Sequence, residues 1–356
     1  MADNLVIDLF EPDIATQHIY TGVDCFHRND FESALVEFDM SLAIDENPYA
    51  RFNRALTLLS LGRYEGFRDW RLCWQIYRCE LSERAKQWYF QEKRPIWRGE
   101  PDVPLILLHE AGFGDGIQLM RLVPLVQEIN PNVVLDMPAP LQRLASQLAP
   151  LADDDSEGMI CPMFELMNVL QQDVTTIPPP PYLAPDPILR EKWTRRIGNG
   201  GRRRIGITWS VKLGSGHEHP AARREIPLDQ FLELLPIDGQ LYSLQTQERE
   251  KATLHGIWAD TLDDFADVAA LASLMDTIIS IDTAALHVAG AIGHQNTFAL
   301  LPYAATWRWL HGNWYPEMKL CRQKSPGDWA SAFADVVGSD SRSCIPLAAA
   351  SAAKAV

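Results

Sequence analysis

Between residues 103 and 301, short apolar runs alternate with amphipathic segments, and this alternation constrains the fold more than any other feature of the chain. VPLILLHE (103–110) reads as a strand, AGFGDG as a tight glycine turn, IQLMRLVPLVQEI as a helix and NVVLDMP as a second strand. A helix follows at 140–149, then DDDSEGMICP reads as loop and TTIPPPPYLAP (175–185) as an extended linker. The pattern then resumes. RRRIGITWS (202–210), GQLYSLQ, TIISIDT and NTFALLP read as strands, and PLDQFLELL, LDDFADVAALASLM and ALHVAGAIG as the helices between them. Such alternation builds parallel sheets, whose ligands bind beyond the carboxyl ends of the strands. The expected class is α/β, with two Rossmann-like parallel-sheet domains facing a cleft.

The chain before this region is different. Residues 15–78 carry apolar and small residues at three- and four-residue spacing with no strand-like alternation, which predicts helices throughout. Gly22, Phe31, Ala34 and Phe38 fall at the spacings of the 34-residue tetratricopeptide pattern, and Tyr64 answers Phe31 at a distance of 33 residues. The second copy lacks the small residue expected where Phe67 stands. Two such repeats bury their apolar faces only against neighbours, so they are expected to pack on the rest of the chain, a second subunit or another protein partner. The resulting division is an arm at 1–14, helical repeats and linker at 15–102, sheet domains at 103–190 and 191–335, and a disordered tail at 336–356.

With 32 Lys and Arg against 47 Asp and Glu, the net charge of −15 disfavours phosphate backbones, and no nucleic-acid partner is expected. The acidic start MADNLVIDLFEPD is unlike a secretory leader, and no run of 18 apolar residues predicts a membrane span. Six cysteines without a CxxC pair suit a reducing cytoplasm and predict neither a disulfide framework nor a zinc ribbon.

Three segments could carry chemistry. In the loop Gly112-Phe113-Gly114-Asp115-Gly116, Ile117 stands where a dinucleotide fingerprint needs glycine, and Asp115 would repel a pyrophosphate. Asp115 suits either a proton acceptor for a neutral hydroxyl, with Glu110 as fallback, or the cap of the following helix. The second segment, residues 190–225, holds ten basic residues against three acids, a local charge of +7. Within it Thr208, Trp209, Ser210 and Lys212 put hydroxyls, backbone N–H groups and a cation where an anionic ligand needs them. His217 and His219 flank Glu218 without a third ligand, so no metal site is assigned. The third segment is Asp282-Thr283-Ala284-Ala285-Leu286-His287. Its helix start suits a diphosphate, or alternatively simple capping by Asp282 or Thr283 with His287 in a core contact.

PIWRGEPDVPLILLHEAGFGDGIQLMRLVPLV, GITWS, YSLQ, LMDTIISIDTAALHVAGAIG and TWRWLHGNWYPEMKL together resemble the bacterial tetratricopeptide-linked glycosyltransferases related to the heptosyltransferases of family 9. A more distant likeness is to O-linked N-acetylglucosamine transferases. The resemblance spans about residues 15–330. It implies a two-domain glycosyltransferase of the B type that transfers a sugar with inversion and without a metal. A nucleotide-diphosphate sugar would be the co-substrate, with no other cofactor, and a saccharide, a lipid-linked sugar or a protein would be the acceptor. By the same resemblance Asp115 is the base, and Glu110, Gly112, Gly114 and Gln118 lie on the acceptor side. Asp282, Thr283 and His287 would hold the donor, and Thr208, Ser210, Lys212, Gln245 and Ala284 are expected to line the same site. Ala111 departs from the family pattern, which has Gln there. The competing reading is a non-catalytic scaffold built on the same fold, whose repeats bind a partner.

Overall fold

The computed structural model describes residues 13–73, 81–173, 176–198, 200–211, 222–310 and 314–339. The chain divides into two compact units, one of residues 1–79 with 306–311 and one of residues 80–305 with 312–356.

The first unit holds α1 (Ile14–His27), α2 (Phe31–Ile44), α3 (Pro48–Ser60) and α4 (Gly66–Leu72), with a 3-10 turn at Trp307–Trp309. Side chains set the helix starts. Asp13 accepts from the Thr16 N–H at 2.7 Å, Asp30 from Ser33 at 3.3 Å, and Asn47 from Tyr49 at 2.8 Å with Pro48 in the first turn. Short turns fold the helices into the pairs α1/α2 and α3/α4. Gly22 is where α1 meets α2: a Cβ there would stand 2.6 Å from the Phe38 ring, which is fully buried. In the second pair the close approach falls one residue before the expected place. A Cβ on Gly66 would lie 2.7 Å from the Ala55 carbonyl oxygen, and Phe67 is released to meet Trp307 edge-on at 5.6 Å.

The second unit begins with the short α5 (Glu83–Lys86) and a π-helical turn at Gln87–Gln91. Then follow β1 (Leu105–Leu108), α6 (Phe113–Leu119), a 3-10 turn at Met120–Leu122, α7 (Val123–Ile129), β2 (Val133–Asp136), α8 (Ala139–Ala145), β3 (Met159–Pro162), α9 (Glu165–Val169) and α10 (Pro187–Ile197). β1, β2 and β3 form a parallel sheet of order β2-β1-β3, with Leu105 opposite both Val133 and Met159. The chain continues through β4 (Arg204–Thr208), α11 (Leu228–Leu234), β5 (Gln240–Ser243), α12 (Arg249–Leu254), α13 (Phe265–Ala272), β6 (Thr277–Ile281), α14 (Ala284–Ala291), β7 (Thr297–Leu301), β8 (Lys319–Arg322) and α15 (Trp329–Ser339). These strands make a second parallel sheet, β5-β4-β6-β7-β8. Ile205, Ile207, Phe231, Ile279, Phe298 and Phe333 are central to its core. Among the described residues no helix is long and apolar enough to cross a membrane.

Four expectations need correction. DDDSEGMICP, expected as loop, contains β3, because only four residues after Gly158 enter the sheet and the acidic lead-in hides them. Gly158 has φ +127° and any Cβ would fall 2.2 Å from the Pro104 carbonyl oxygen, so glycine is needed for entry. The glycine turn after β1 is already helix: Gly112 is the N-cap and Asp115 the third helical residue of α6, rather than the N-cap of a helix from Gly116. α10 crosses the expected boundary at 190/191, and α15 crosses the one at 335/336. The short α12 and the edge strand β8, absent from the sequence reading, complete the second sheet's surroundings.

Candidate functional site

Each sheet has one point where successive connections leave in opposite directions, and side chains at the carboxyl ends of those strands face a natural crevice. In the first sheet the point lies between β1 and β3, in the second between β4 and β6.

At the first point β1 runs into His109 and Glu110. Glu110 is buried, and its Oε1 accepts the Phe164 N–H beyond β3 at 2.8 Å, so this fallback base is an internal anchor. His109 is buried too. Its Nε2 has no hydrogen-bond partner and would lie 2.9 Å from a Cβ on Gly116. Burial holds the imidazole pKa below its ordinary value, against the charges of Asp115 and Asp136 and a hydrogen bond to the Gly112 backbone. Asp115 is half-buried, and its Oδ2 accepts the Gly112 N–H at 2.9 Å. The capping alternative for Asp115 is therefore realised at the third helical position, with the carboxylate still within reach of solvent. Gln118 is fully buried in α6, facing the interior.

At the second point the hydroxyls cluster. The Thr208 and Ser280 hydroxyls form a hydrogen bond, with Thr283 Oγ1 3.5 Å from each. Thr208 is 1% exposed, so it braces the ends of β4 and β6 from inside. Gln245 does similar work for the loop after β4: its Oε1 accepts the Trp209 and Ser210 N–H groups at 2.6 and 2.8 Å. Ser210 donates to Glu248 at 2.8 Å, as does the Trp209 indole. Burial opposes ionisation of Glu248, but these hydrogen bonds and the Lys251 charge outweigh it and hold its pKa below the ordinary range. Lys212, His217, Glu218 and His219 lie outside the described residues. Among those described, no cluster of three or more His, Cys, Asp or Glu could hold a metal ion.

Asp282 and Thr283 stand where β6 gives way to α14. Asp282 is buried beside Arg224, whose guanidinium donates to the Asp282 carbonyl at 3.0 Å and stands 3.5 Å from its carboxylate. Thr283 is the N-cap, with extended backbone and no side-chain cap, and Ala284 is the first helical residue. The opening N–H groups of the helix have no carbonyl behind them within it, so the turn presents the positive end of its dipole. His287 is 4% exposed. Its Nδ1 is 3.0 Å from the Tyr315 hydroxyl and its Nε2 3.8 Å from Asp282 Oδ1.

α6 packs on α14. At the contact a Cβ on Gly114 would lie 2.7 Å from His287 Cδ2, so the first loop touches the third segment directly. Phe113 meets Phe265 of α13 at 5.4 Å. The sequence reading counted Arg224 only as one of ten basic residues in the run and missed its place beside Asp282, and it missed Ser280, Glu248 and Tyr315 altogether.

No protein-family model matches the chain. Protein FlbA of Caulobacter vibrioides is 24% identical over 352 residues, an alignment covering 84% of this chain and 57% of FlbA. The chain thus spans little more than half the length of that relative. Among solved structures, a glycosyl transferase family 9 protein from Veillonella parvula is similar with a TM-score of 0.49 and 8% identity, covering 69% of this chain and 97% of its own. The E. coli ADP-heptose lipopolysaccharide heptosyltransferase II gives a TM-score of 0.42 and 14% identity, covering 66% of this chain and 98% of its own.

Proposed function

We propose that the chain transfers a sugar from a nucleotide-diphosphate sugar to a hydroxyl acceptor, with inversion and without a metal. The observation that carries this reading is the contact of Gly114 with His287, which sets the residue before the candidate base against the helix that would hold the diphosphate. The donor diphosphate sits at the start of α14, gripped by the N–H groups after Thr283, with Arg224 and Lys212 supplying positive charge. Asp115 takes the proton as the acceptor oxygen attacks the anomeric carbon. The bond from that carbon to the diphosphate oxygen breaks, and the charge left on the phosphate is met by the helix dipole. The acceptor is a saccharide, a lipid-linked sugar or a protein, recognised beside Gly112 and Gly114. In this reading the two sheets face a cleft, the N-terminal helices act as tetratricopeptide repeats that dock a protein partner or a second copy, and the protein works in the cytoplasm.

Thermal shift against a panel of nucleoside diphosphates and their sugars tests the donor half. A ligand at 100 times its Kd raises stability by about 2.7 kcal/mol. No shift with any member overturns the donor assignment. Retained transfer in excess chelator is expected, and rescue by magnesium or manganese overturns metal independence. Donor binding without turnover on any acceptor class would favour the scaffold reading.

A further inference from the structure

We propose that Tyr315 is a positioning residue, which fixes the tautomer of His287 and thereby the seat of the Gly114–Asp115 loop on α14. Four stretches remote in sequence meet at this phenol. Its ring lies on α14 where Gly290 makes room, since a Cβ there would fall 2.3 Å from Tyr315 Cδ1. One helical turn earlier, the hydroxyl reaches His287 Nδ1 at 3.0 Å. The same hydroxyl is 3.4 Å from that of Tyr182, which itself donates to the Ile117 carbonyl at 3.0 Å. Arg121 closes the group. It is fully buried, donates to the Gln118 and Trp314 carbonyls at 3.0 and 2.9 Å, and lies 4.7 to 5.2 Å from the ring centroids of Tyr182, Trp314 and Tyr315. Arg121 Nη2 also donates to the Tyr182 hydroxyl at 3.3 Å.

The donors and acceptors order themselves. Tyr182 gives its proton to the Ile117 carbonyl and its oxygen takes the Arg121 donor, so the Tyr315 proton has two acceptors, and the shorter contact, 3.0 Å against 3.4 Å, assigns it to His287 Nδ1. His287 Nε2 faces the Asp282 carboxylate at 3.8 Å, and a carboxylate favours the N–H on its own side of the ring. Both neighbours therefore select the tautomer protonated on Nε2. The ring so held presents Cδ2 to Gly114 with no room for a Cβ, and Asp115 follows at once in α6. A diphosphate at the start of α14 is thereby coupled to the carboxylate of Asp115 through a rigid imidazole. The coupling to a diphosphate rests on the glycosyl-transfer reading; the tautomer and the seat of the loop do not.

The test uses the full chain with 15N-labelled histidine and backbone amides. In wild type, His287 should show N–H on Nε2 and a bare Nδ1 accepting a hydrogen bond. Tyr315→Phe removes only the hydroxyl, and should shift the His287 ring nitrogens and the Gly114 and Asp115 amides while leaving nucleoside-diphosphate affinity within about twofold. Adding the nucleoside diphosphate that binds should move the Gly114 and Asp115 amides in wild type and move them less in Tyr315→Phe. Tyr182→Phe, whose hydroxyl serves Ile117, should leave the His287 tautomer as it is. Gly114→Ala, a second route to the same contact, should displace the His287 ring signals. Unchanged His287 and loop resonances in both Tyr315→Phe and Gly114→Ala overturn the positioning role. If those resonances respond but no nucleoside diphosphate binds wild type, the positioning role stands and the donor assignment alone falls.

Discussion

The rims of the two sheets are built from the same strand-turn-helix unit and spend their polar groups differently. At the second sheet, Thr208 bonds Ser280 across the ends of β4 and β6, and Gln245 and Glu248 hold Ser210, so three of the eight residues that look like donor ligands from the sequence also brace the strand ends and the loop after β4. What the rim presents outward is backbone, at the start of α14. At the first sheet the internal work falls to Glu110 and His109, and a half-buried carboxylate, Asp115, reaches the surface from the first turn of α6. In the proposed reading, one rim takes an anion through N–H groups and the other takes a proton. Buried polar groups must be satisfied, so the short hydroxyl and amide side chains are drawn inward and the site is left to the groups that remain.

The sharpest way to break this contrast is Asp115→Asn. Loss of a general base lowers turnover by about 100- to 10,000-fold. Asparagine still caps the helix, so melting temperature and nucleoside-diphosphate affinity should barely move. Near wild-type turnover would reduce Asp115 to a cap, and lost diphosphate affinity would merge the two rims into one function.

Next in size is Asp267→Ala. Asp267 of α13 is fully buried and takes hydrogen bonds from Lys192, the Trp193 indole, the Asp263 N–H and Arg143 of α8, which also pairs with Asp264 through both nitrogens. Removing one partner of such a group costs about 3 to 5 kcal/mol, which calorimetry would read as a melting point lower by roughly 10 °C. Burial works against the Asp267 carboxylate, but Lys192, the Asp263 N–H and Trp193 outweigh it and hold its pKa below the ordinary value. Its contribution is thus present above the unfolded carboxylate pKa of about 3.9 and lost as pH falls through the folded value. A loss under 1 kcal/mol would mean that this tie between α8 and α13 does not hold the rims together.

Asp282→Asn should weaken nucleoside-diphosphate binding by about tenfold, the worth of roughly 1.4 kcal/mol, because Arg224 and the start of α14 lose the anchor between them. Isothermal titration checks it. Unchanged affinity would leave the second rim without a role for its buried acid.

The smallest effect concerns His109. Its pKa in the folded chain lies below the ordinary 6.5, so the unfolded chain takes the proton first as pH falls. Stability should therefore decline as pH drops below about 6.5, by at most about 1.4 kcal/mol per pH unit until the folded pKa is reached. His109→Gln should flatten that slope in denaturant titrations between pH 5 and 7. An unchanged slope would place the titrating group elsewhere.

Most strands and helices between residues 103 and 301 were legible because local periodicity and glycine punctuation report on local structure, whereas the short α9 and α12 were not. β3 escaped because four residues behind an acidic run carry too little periodicity, and only pairing with β1 makes them a strand. In the N-terminal unit the spacing of Gly22 and Phe38 was readable as a helix contact, whereas the replacement of an expected small residue at Phe67 by Gly66 required the packing itself. The places of Asp115, Asp282 and Thr283 beyond the carboxyl ends of β1 and β6 were legible since each follows a strand at a turn. Arg224, Ser280 and Tyr315 were not, because nothing near them in sequence marks them, and each acquires its meaning from a partner 28 to 72 residues away.

The chain by itself determined the α/β alternation and the helix starts at Asp13, Asp30 and Asn47, since these depend on neighbours within a few residues. Only the tertiary structure decided which polar residues face inward and which face the rim. It seated Gly114 on His287, set Arg224 beside Asp282 and enclosed Arg121 in its three rings. Satisfying a buried donor or acceptor is a long-range condition: the residue that meets it can lie anywhere along the chain, and only the folded packing brings it within 3 Å.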